Sequence, residues 1–214
     1  MPDLEADLYN LTMSEEAQPL LDAVKKHITD NVDPILEEYQ ALQAEKDDPW
    51  QWHPRQLELL DGAKNKAKES GLWNFFLPDA DTGEGLKNLD YAYIAAELGK
   101  NPLASETLNC SAPDTGNMEV LERVGTADQK EKWLKPLLNG EIRSAFAMTE
   151  PHLASSDAKN ISCSAVLDGD EWVINGQKIW TSTAHIADWI FCLVRSEPDA
   201  PKHKDKNYIQ CNYY

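Results

Sequence analysis

The sequence predicts an α+β protein, in which an all-helical N-terminal domain is followed by a short antiparallel β-domain. Through the first 140 residues, apolar side chains recur every three or four positions, which is the period of a helix that buries one face. After Gly140 the composition changes to short β-branched and aromatic runs separated by turn dipeptides. These two observations place a helical domain at residues 1–140 and a β-domain at residues 141–214.

Start and stop signals divide the first part of the helical region. Ser14 is the expected N-cap of the first helix, which Pro34 kinks or restarts. A further helix is expected from about Pro54 to Ser70, and Gly71 closes it. The face that this helix should bury consists of Leu57, Leu60, Ala63 and Ala67.

The second part of the helical region carries two more N-terminal signals. Asp90 is the expected cap of a helix that ends at Leu98, before Gly99. Thr126 and Gln129 have the spacing of a capping box, in which each side chain accepts from the other's free backbone N–H. The helix that they start should place Trp133 in the core.

Four strands are expected after residue 143, and they should form an antiparallel sheet. Asp168-Gly169 and Asn175-Gly176 are the dipeptides best suited to two-residue hairpin turns. They predict a strand at 171–174 and another at 177–181. The apolar run at 189–194 predicts a last strand, for which no partner is evident. The polar residues after it predict no further strand.

Composition and charge weigh against several classes of function. The formal net charge of −17 disfavours nucleic acid and anionic membranes as partners, because both require clustered Lys and Arg. No apolar run is long enough to predict a spanning helix. The four cysteines and five histidines lack the spacing of metal ligands, so no metal site is expected. Without a recognisable leader, the expected location is the cytoplasm, with mitochondrion or peroxisome as the alternative in a eukaryote.

A hydroxyl-rich stretch is the strongest candidate site. Residues 149–157 carry Thr and Ser side chains, and the predicted strand at 177–181 places Trp180 next to hydroxyl side chains. Polar donors beside a large flat ring suit a planar heteroaromatic ligand. The alternative is a surface loop whose Ser and Thr side chains form local turns before a hairpin.

Three motifs match the acyl-CoA dehydrogenase family in sequence and in order, and the chain resembles that family over residues 15–197. They are Phe-Ala-Met-Thr-Glu-Pro from Phe146, Ser-Ser-Asp from Ser155, and Ile-Asn-Gly-Gln-Lys-Ile-Trp ending at Trp180. The loop after the Thr-Glu-Pro is one residue longer than the common family form, as in some long-chain-type members. The resemblance implies a helical N-terminal domain and a truncated antiparallel β-domain of the family's middle-domain type.

The resemblance also implies an FAD site and one contact with acyl-CoA. The residues that it assigns to FAD are Phe146, Met148, Thr149, Ser155, Trp180 and Ser182. Trp180 would pack against the isoalloxazine, and the hydroxyl of Ser182 would lie near flavin N5. Ser156 would meet the pantetheine of acyl-CoA.

Family members are flavoprotein oxidoreductases of fatty acid metabolism. They oxidise acyl-CoA thioesters to 2-enoyl-CoA, pass electrons to electron-transferring flavoprotein or a similar acceptor, and form homo-oligomers. Their catalytic base lies on a C-terminal helical domain, so no catalytic residue is assigned here, and Glu150 has no base role in the family. We therefore expect a truncated acyl-CoA dehydrogenase with little or no activity alone. The alternatives are a non-enzymatic helical binding module and one half of a split enzyme.

Overall fold

The structure is a computed structural model that describes residues 11–79, 82–197, 199–201 and 206–212. It divides after Ser111 into two compact units. Helices followed by a sheet confirm the predicted α+β class. Within the described ranges, none of the helices has the length and apolar character needed to cross a membrane.

The first unit is helical, and the helix expected from Ser14 begins later than expected. Its elements are α1 (Gln18–His27), a π-helical turn (Ile28–Val32), α2 (Asp33–Ala44), α3 (Pro54–Glu69), α4 (Asn88–Leu98) and α5 (Ala104–Thr107). Ser14 caps no helix, because its backbone N–H and hydroxyl donate to the Asp90 carboxylate at 2.7 and 3.0 Å. Asp90 consequently lies inside the first turn of α4 and does not cap it. Pro34 stands in the first turn of α2, which directly follows the π-helical turn that joins α2 to α1.

Helix α3 follows its predicted bounds and most of its predicted buried face. Leu60, Ala63 and Ala67 are buried, as expected. Leu57 is 43% exposed, and Leu59 is buried in its place. Gly71 follows the helix with a φ of 69°, the left-handed conformation that suits glycine after a helix end.

The second unit opens with helical segments before the sheet. They are α6 (Asp114–Val124), α7 (Ala127–Gln129), a π-helical turn (Lys130–Leu134) and α8 (Lys135–Asn139). The predicted capping box is confirmed: the Gln129 N–H donates to Thr126 Oγ1 at 3.2 Å, and the Thr126 N–H donates to Gln129 Oε1 at 2.9 Å. Trp133 is half-buried, with its ring centroid 5.7 Å from that of the fully buried Trp189.

The sheet of the second unit is mixed, so the expected antiparallel sheet is wrong. Its strands are β1 (Ser144–Ala147), β2 (Ser164–Asp168), β3 (Glu171–Asn175), β4 (Trp189–Arg195) and β5 (Lys206–Asn212). β4 is central: it runs parallel to β1 and β2 and antiparallel to β5. The strand for which no partner was evident therefore has three partners: β1 and β2 come from earlier parts of the chain, and β5 follows it at residues where no strand was expected.

One predicted hairpin is confirmed, and the other is wrong. β2 and β3 pair antiparallel, with Gly169 and Asp170 as the connecting residues, one position later than expected. Residues 177–181 form no strand. Gly176 has a φ of 151°, and the Ile179 N–H donates to the Thr149 carbonyl at 2.9 Å, so this segment pairs with the loop after β1.

Gly176 should tolerate no side chain. A Cβ there would lie 2.7 Å from Cys163 Sγ and 2.9 Å from Cys163 Cα, and φ is already unfavourable for other residues. We expect Gly176→Ala to lower the free energy of unfolding by about 2–4 kcal/mol. Gly62→Ala is the control, since no atom lies within 4 Å of its Cβ position and alanine favours helix by roughly 1 kcal/mol. Urea unfolding measures both, and equal effects would contradict the packing described here.

Candidate functional site

The loop between β1 and β2 is held by one buried carboxylate, that of Glu150. The side chain accepts from the Ser162 N–H at 2.9 Å and the Ser162 hydroxyl at 2.7 Å. It also accepts from the Cys163 N–H at 2.8 Å and from Lys178 Nζ at 2.9 Å. Glu150 is only 5% exposed. Four donors therefore satisfy a charge that could not be buried alone.

These donors also set the charge of Glu150. Burial by itself raises the pKa of the carboxyl, because it disfavours the ionised form. Together, the hydrogen bonds from Ser162, from Lys178 and from the Cys163 backbone have a larger effect than burial, and they lower the pKa of Glu150 to about 2. Glu150 is consequently a carboxylate at neutral pH, and it is a poor proton acceptor.

Lys178 connects this carboxylate to the neighbouring segment. Its Nζ donates to the Met148 carbonyl at 3.0 Å as well as to Glu150. The next residue, Ile179, donates its N–H to the Thr149 carbonyl at 2.9 Å. Residues 148–150 and 178–179 are therefore bound side by side, although they are far apart in sequence.

Some of the predicted site residues lie within the loop's own structure. Ser155 is buried, and its Oγ accepts from the Glu150 N–H at 2.8 Å. Phe146 lies in β1 and Met148 just after it, and both are half-buried. Asp157 accepts from the Lys159 N–H at 3.1 Å, a local turn of the kind that the surface-loop alternative predicts.

The other predicted residues present their side chains to solvent. Trp180 is 85% exposed and has a φ of 57°. A left-handed backbone costs a non-glycine residue about 1–2 kcal/mol, so the surrounding structure must impose it. Thr149, Ser156 and Ser182 are exposed as well, and no hydrogen bond of their hydroxyls is found within the described ranges. The structure brings Thr149 beside Ile179, the residue that precedes Trp180.

A second left-handed residue holds the end of this segment. Thr183 has a φ of 62°, and its hydroxyl donates to the Ser144 carbonyl at 3.1 Å. Ser144 begins β1, so both ends of the 179–183 segment are attached to β1 or to the loop that follows it. Trp180 and Ser182 lie between these two attachments.

Sequence reasoning missed the residues that build this arrangement. Glu150 was considered only as a base, and Lys178 and Ser162 were not singled out. The usable signal was chemical: a glutamate in a hydroxyl-rich loop has to find a cation or several donors if the loop packs down. Lys178 is such a cation, and it lies two positions before Trp180, the aromatic residue expected to contact a ligand.

Two family models match this chain. The family model described as "Acyl-CoA dehydrogenase, N-terminal domain" matches residues 14–141. The model described as "Acyl-CoA dehydrogenase, middle domain" matches residues 145–209. The order of the two matches is that of the helical region and the sheet.

Individual relatives agree with the family models. Acyl-CoA dehydrogenase family member 10 of Mus musculus is 43% identical over 204 residues, which is 92% of this chain and 19% of the relative. Acyl-CoA dehydrogenase family member 11 of Gallus gallus is 47% identical over 174 residues, or 80% of this chain and 22% of the relative. The solved structure of a putative acyl-CoA dehydrogenase from Mycobacterium abscessus is 41% identical, with a TM-score of 0.85, and the match covers 94% of this chain and 51% of that one.

The fold and the matched domains define the class as an α+β protein with the helical N-terminal domain and the β-rich middle domain of acyl-CoA dehydrogenases. The chain belongs to the acyl-CoA dehydrogenase family. It spans about half the length of the solved relative and about a fifth of the two curated relatives.

The Glu150 cluster predicts a pH dependence of stability. A carboxyl whose folded pKa is about 2, against an ordinary value of 4.5, stabilises the fold above pH 4.5 and loses that contribution as the pH falls towards 2. We expect Glu150→Gln to cost about 3 kcal/mol at pH 7 and to cost progressively less between pH 4.5 and 2.

Urea unfolding of wild type and variant across this pH range measures the difference. Glu171→Gln, an exposed position on β3 of the same unit, is the control and should show no comparable loss. A Glu150→Gln cost that stays constant down to pH 3 would refute the assignment.

Proposed function

We propose that this chain binds FAD through the loop after β1 and the segment around Trp180. We further propose that it serves the α,β-oxidation of acyl-CoA thioesters to 2-enoyl-CoA. One observation carries the proposal. The Ile179 N–H donates to the Thr149 carbonyl, which brings the exposed Thr149 hydroxyl beside the segment that carries Trp180. Trp180 is itself exposed and has a left-handed backbone conformation.

The donor set fits a flavin. A flat heteroaromatic ring needs an apolar surface for its face and hydrogen-bond donors along its edge. Trp180 supplies the surface, and a tryptophan left 85% exposed at a strained backbone position is unusual unless it has a ligand or partner to cover it. The hydroxyls of Thr149 and Ser182 are exposed and available as donors.

The individual contacts proposed here are those that the family resemblance implies. The exposed hydroxyl of Thr149 and the backbone of Phe146 and Met148 would hydrogen-bond the pyrimidine edge. Trp180 would cover the ring face, and the Ser182 hydroxyl would approach N5. Ser155 is buried and would act through the loop that its hydroxyl closes. Bound FAD would supply the acceptor for the hydride that leaves the β-carbon of the substrate.

On the substrate side, Ser156 is the proposed contact, because its exposed hydroxyl follows the buried Ser155 at the surface of the loop. Glu150 is not the base that removes the α-proton, since its carboxylate is held by four donors and its pKa is about 2. Another carboxylate must take that role. The matched domains are the N-terminal and middle ones, and the family resemblance places the base on a C-terminal helical domain, so we infer that the 214 residues alone have little or no dehydrogenase activity.

The remaining functional assignments come from family membership. We propose electron-transferring flavoprotein or a similar protein as the electron acceptor, and a homo-oligomer as the working assembly. The proposed compartment is the cytoplasm, or the mitochondrion or peroxisome in a eukaryote.

Titration of the purified chain with FAD, followed by visible absorption and by flavin fluorescence, tests the proposal. We expect wild type to bind FAD and Trp180→Ala to bind it about tenfold more weakly, because the ring loses its stacking surface. Trp172→Ala is the matched control, since Trp172 is an exposed tryptophan on β3 of the same unit.

A wild-type chain that leaves the flavin spectrum unchanged would refute FAD binding by these residues and favour the non-enzymatic binding module. Equal affinities of the two tryptophan variants would refute the role of Trp180. If FAD binds and turnover appears only after adding a separate chain with a C-terminal helical domain, the split-enzyme alternative is favoured.

A further inference from the structure

Lys178 forms a buried ion pair that lies between the two segments proposed to hold the flavin. The side chains of Lys178 and Glu150 are 11% and 3% exposed, and their charged atoms are 2.9 Å apart. Lys178 Nζ also donates to the Met148 carbonyl at 3.0 Å. One ammonium group thus binds both the carboxylate and the backbone of the loop.

The Glu150 end of this pair is fixed to the core of the sheet. Its carboxylate accepts the N–H of Cys163, the residue before β2. Cys163 belongs to a buried cluster whose other members are Ala147, Ala165, Cys192 and Val194. The ion pair is therefore anchored to closely packed strands, and the loop cannot shift without disturbing that packing.

The Lys178 end fixes the segment that carries Trp180. The Lys178 ammonium donates to the Met148 carbonyl and the next residue's N–H donates to the Thr149 carbonyl, so one side-chain bond and one backbone bond hold the two segments side by side. The ammonium on the Met148 carbonyl also polarises the peptide between Met148 and Thr149. The N–H of Thr149 becomes a stronger donor as a result.

Stability alone does not explain such a pair. Taking both charges out of water costs free energy that their attraction often only balances, and apolar residues of similar size frequently serve as well. A pair that instead fixes two segments against each other has a functional explanation.

We propose that Glu150 and Lys178 are a positioning pair for the flavin-binding residues Thr149 and Trp180, an inference that rests on the proposed function. The pair touches no ligand itself. It holds the two segments in register before FAD binds, and the charge of Lys178 tunes the donor strength of the Thr149 peptide.

The first test measures FAD affinity and amide hydrogen exchange in Lys178→Met. We expect FAD affinity to fall at least about tenfold, because the segments must be ordered on binding. In the chain without FAD, the Ile179 and Cys163 amides should exchange faster. Lys178→Gln, whose amide can still donate, replaces the methionine variant if that variant does not fold, and it should shift both quantities in the same direction.

The matched control is Lys64→Met in the helical unit. Lys64 pairs with Glu106 at 2.6 Å, and its side chain is 18% exposed, so the lost ion pair is comparably buried. This variant should leave FAD affinity and the Ile179 amide unchanged. Unchanged affinity and exchange in Lys178→Met would overturn the inference. A wild-type chain that does not bind FAD refutes the proposed function, and hydrogen exchange alone then decides whether the pair holds the segments together.

A second readout separates positioning from a purely structural role. Glu150→Gln leaves the Lys178 cation uncompensated beside the Met148 carbonyl, so the reduction potential of bound flavin should rise. Lys178→Met leaves a net negative charge there, so the potential should fall. Shifts in the same direction, or none in either variant, would overturn the electrostatic part of the inference.

Discussion

A buried charge has to be satisfied where it lies, and this requirement organises the second unit around Glu150. Each of the four donors to its carboxylate comes from a fixed point: two from Ser162, one from Cys163 and one from Lys178. Removing any donor leaves a buried acceptor partly unpaired, which costs more than the hydrogen bond contributed. The loop after β1 consequently has one favourable conformation. This conformation fixes the position of the segment that carries Lys178.

The division of labour between buried and exposed groups follows from this constraint. Backbone and buried side chains hold the loop, so the Thr149 and Ser182 hydroxyls and the Trp180 ring need not contribute to folding. Groups that are already oriented lose little entropy on binding, which favours affinity for a rigid, flat ligand. The left-handed conformation of Trp180 is the local cost of presenting its ring in this way.

Local patterns predicted the parts of the fold that depend on nearby residues. Helix α3, the capping box at Thr126 and the β2–β3 hairpin are all set within a few positions in the sequence. The mixed sheet was missed because the two parallel partners of β4, β1 and β2, are not its neighbours in sequence, and strand periodicity carries no information about partners. Ser14 was misassigned for the same reason, since its partner Asp90 is 76 residues away.

The candidate site shows the same limit. Motif resemblance identified the loop and the tryptophan, but the Glu150–Lys178 pair spans 28 positions and has no local signature. A charged residue in sequence is compatible with solvent, a ligand or a buried partner, and only the fold distinguishes among them. The motifs thus indicated the exposed candidate residues and Ser155, whereas the buried Glu150–Lys178 pair had no local signal of its own in the sequence.

A double-mutant cycle on Glu150 and Lys178 tests the central claim most directly, because it isolates the coupling between the two side chains. The free energy of unfolding is measured by urea for wild type, Glu150→Gln, Lys178→Met and the double variant at pH 7. If the pair fixes the site, the double variant will be more stable than the sum of the single effects predicts, by about 1–3 kcal/mol. Effects that add to within roughly 0.5 kcal/mol would contradict the account.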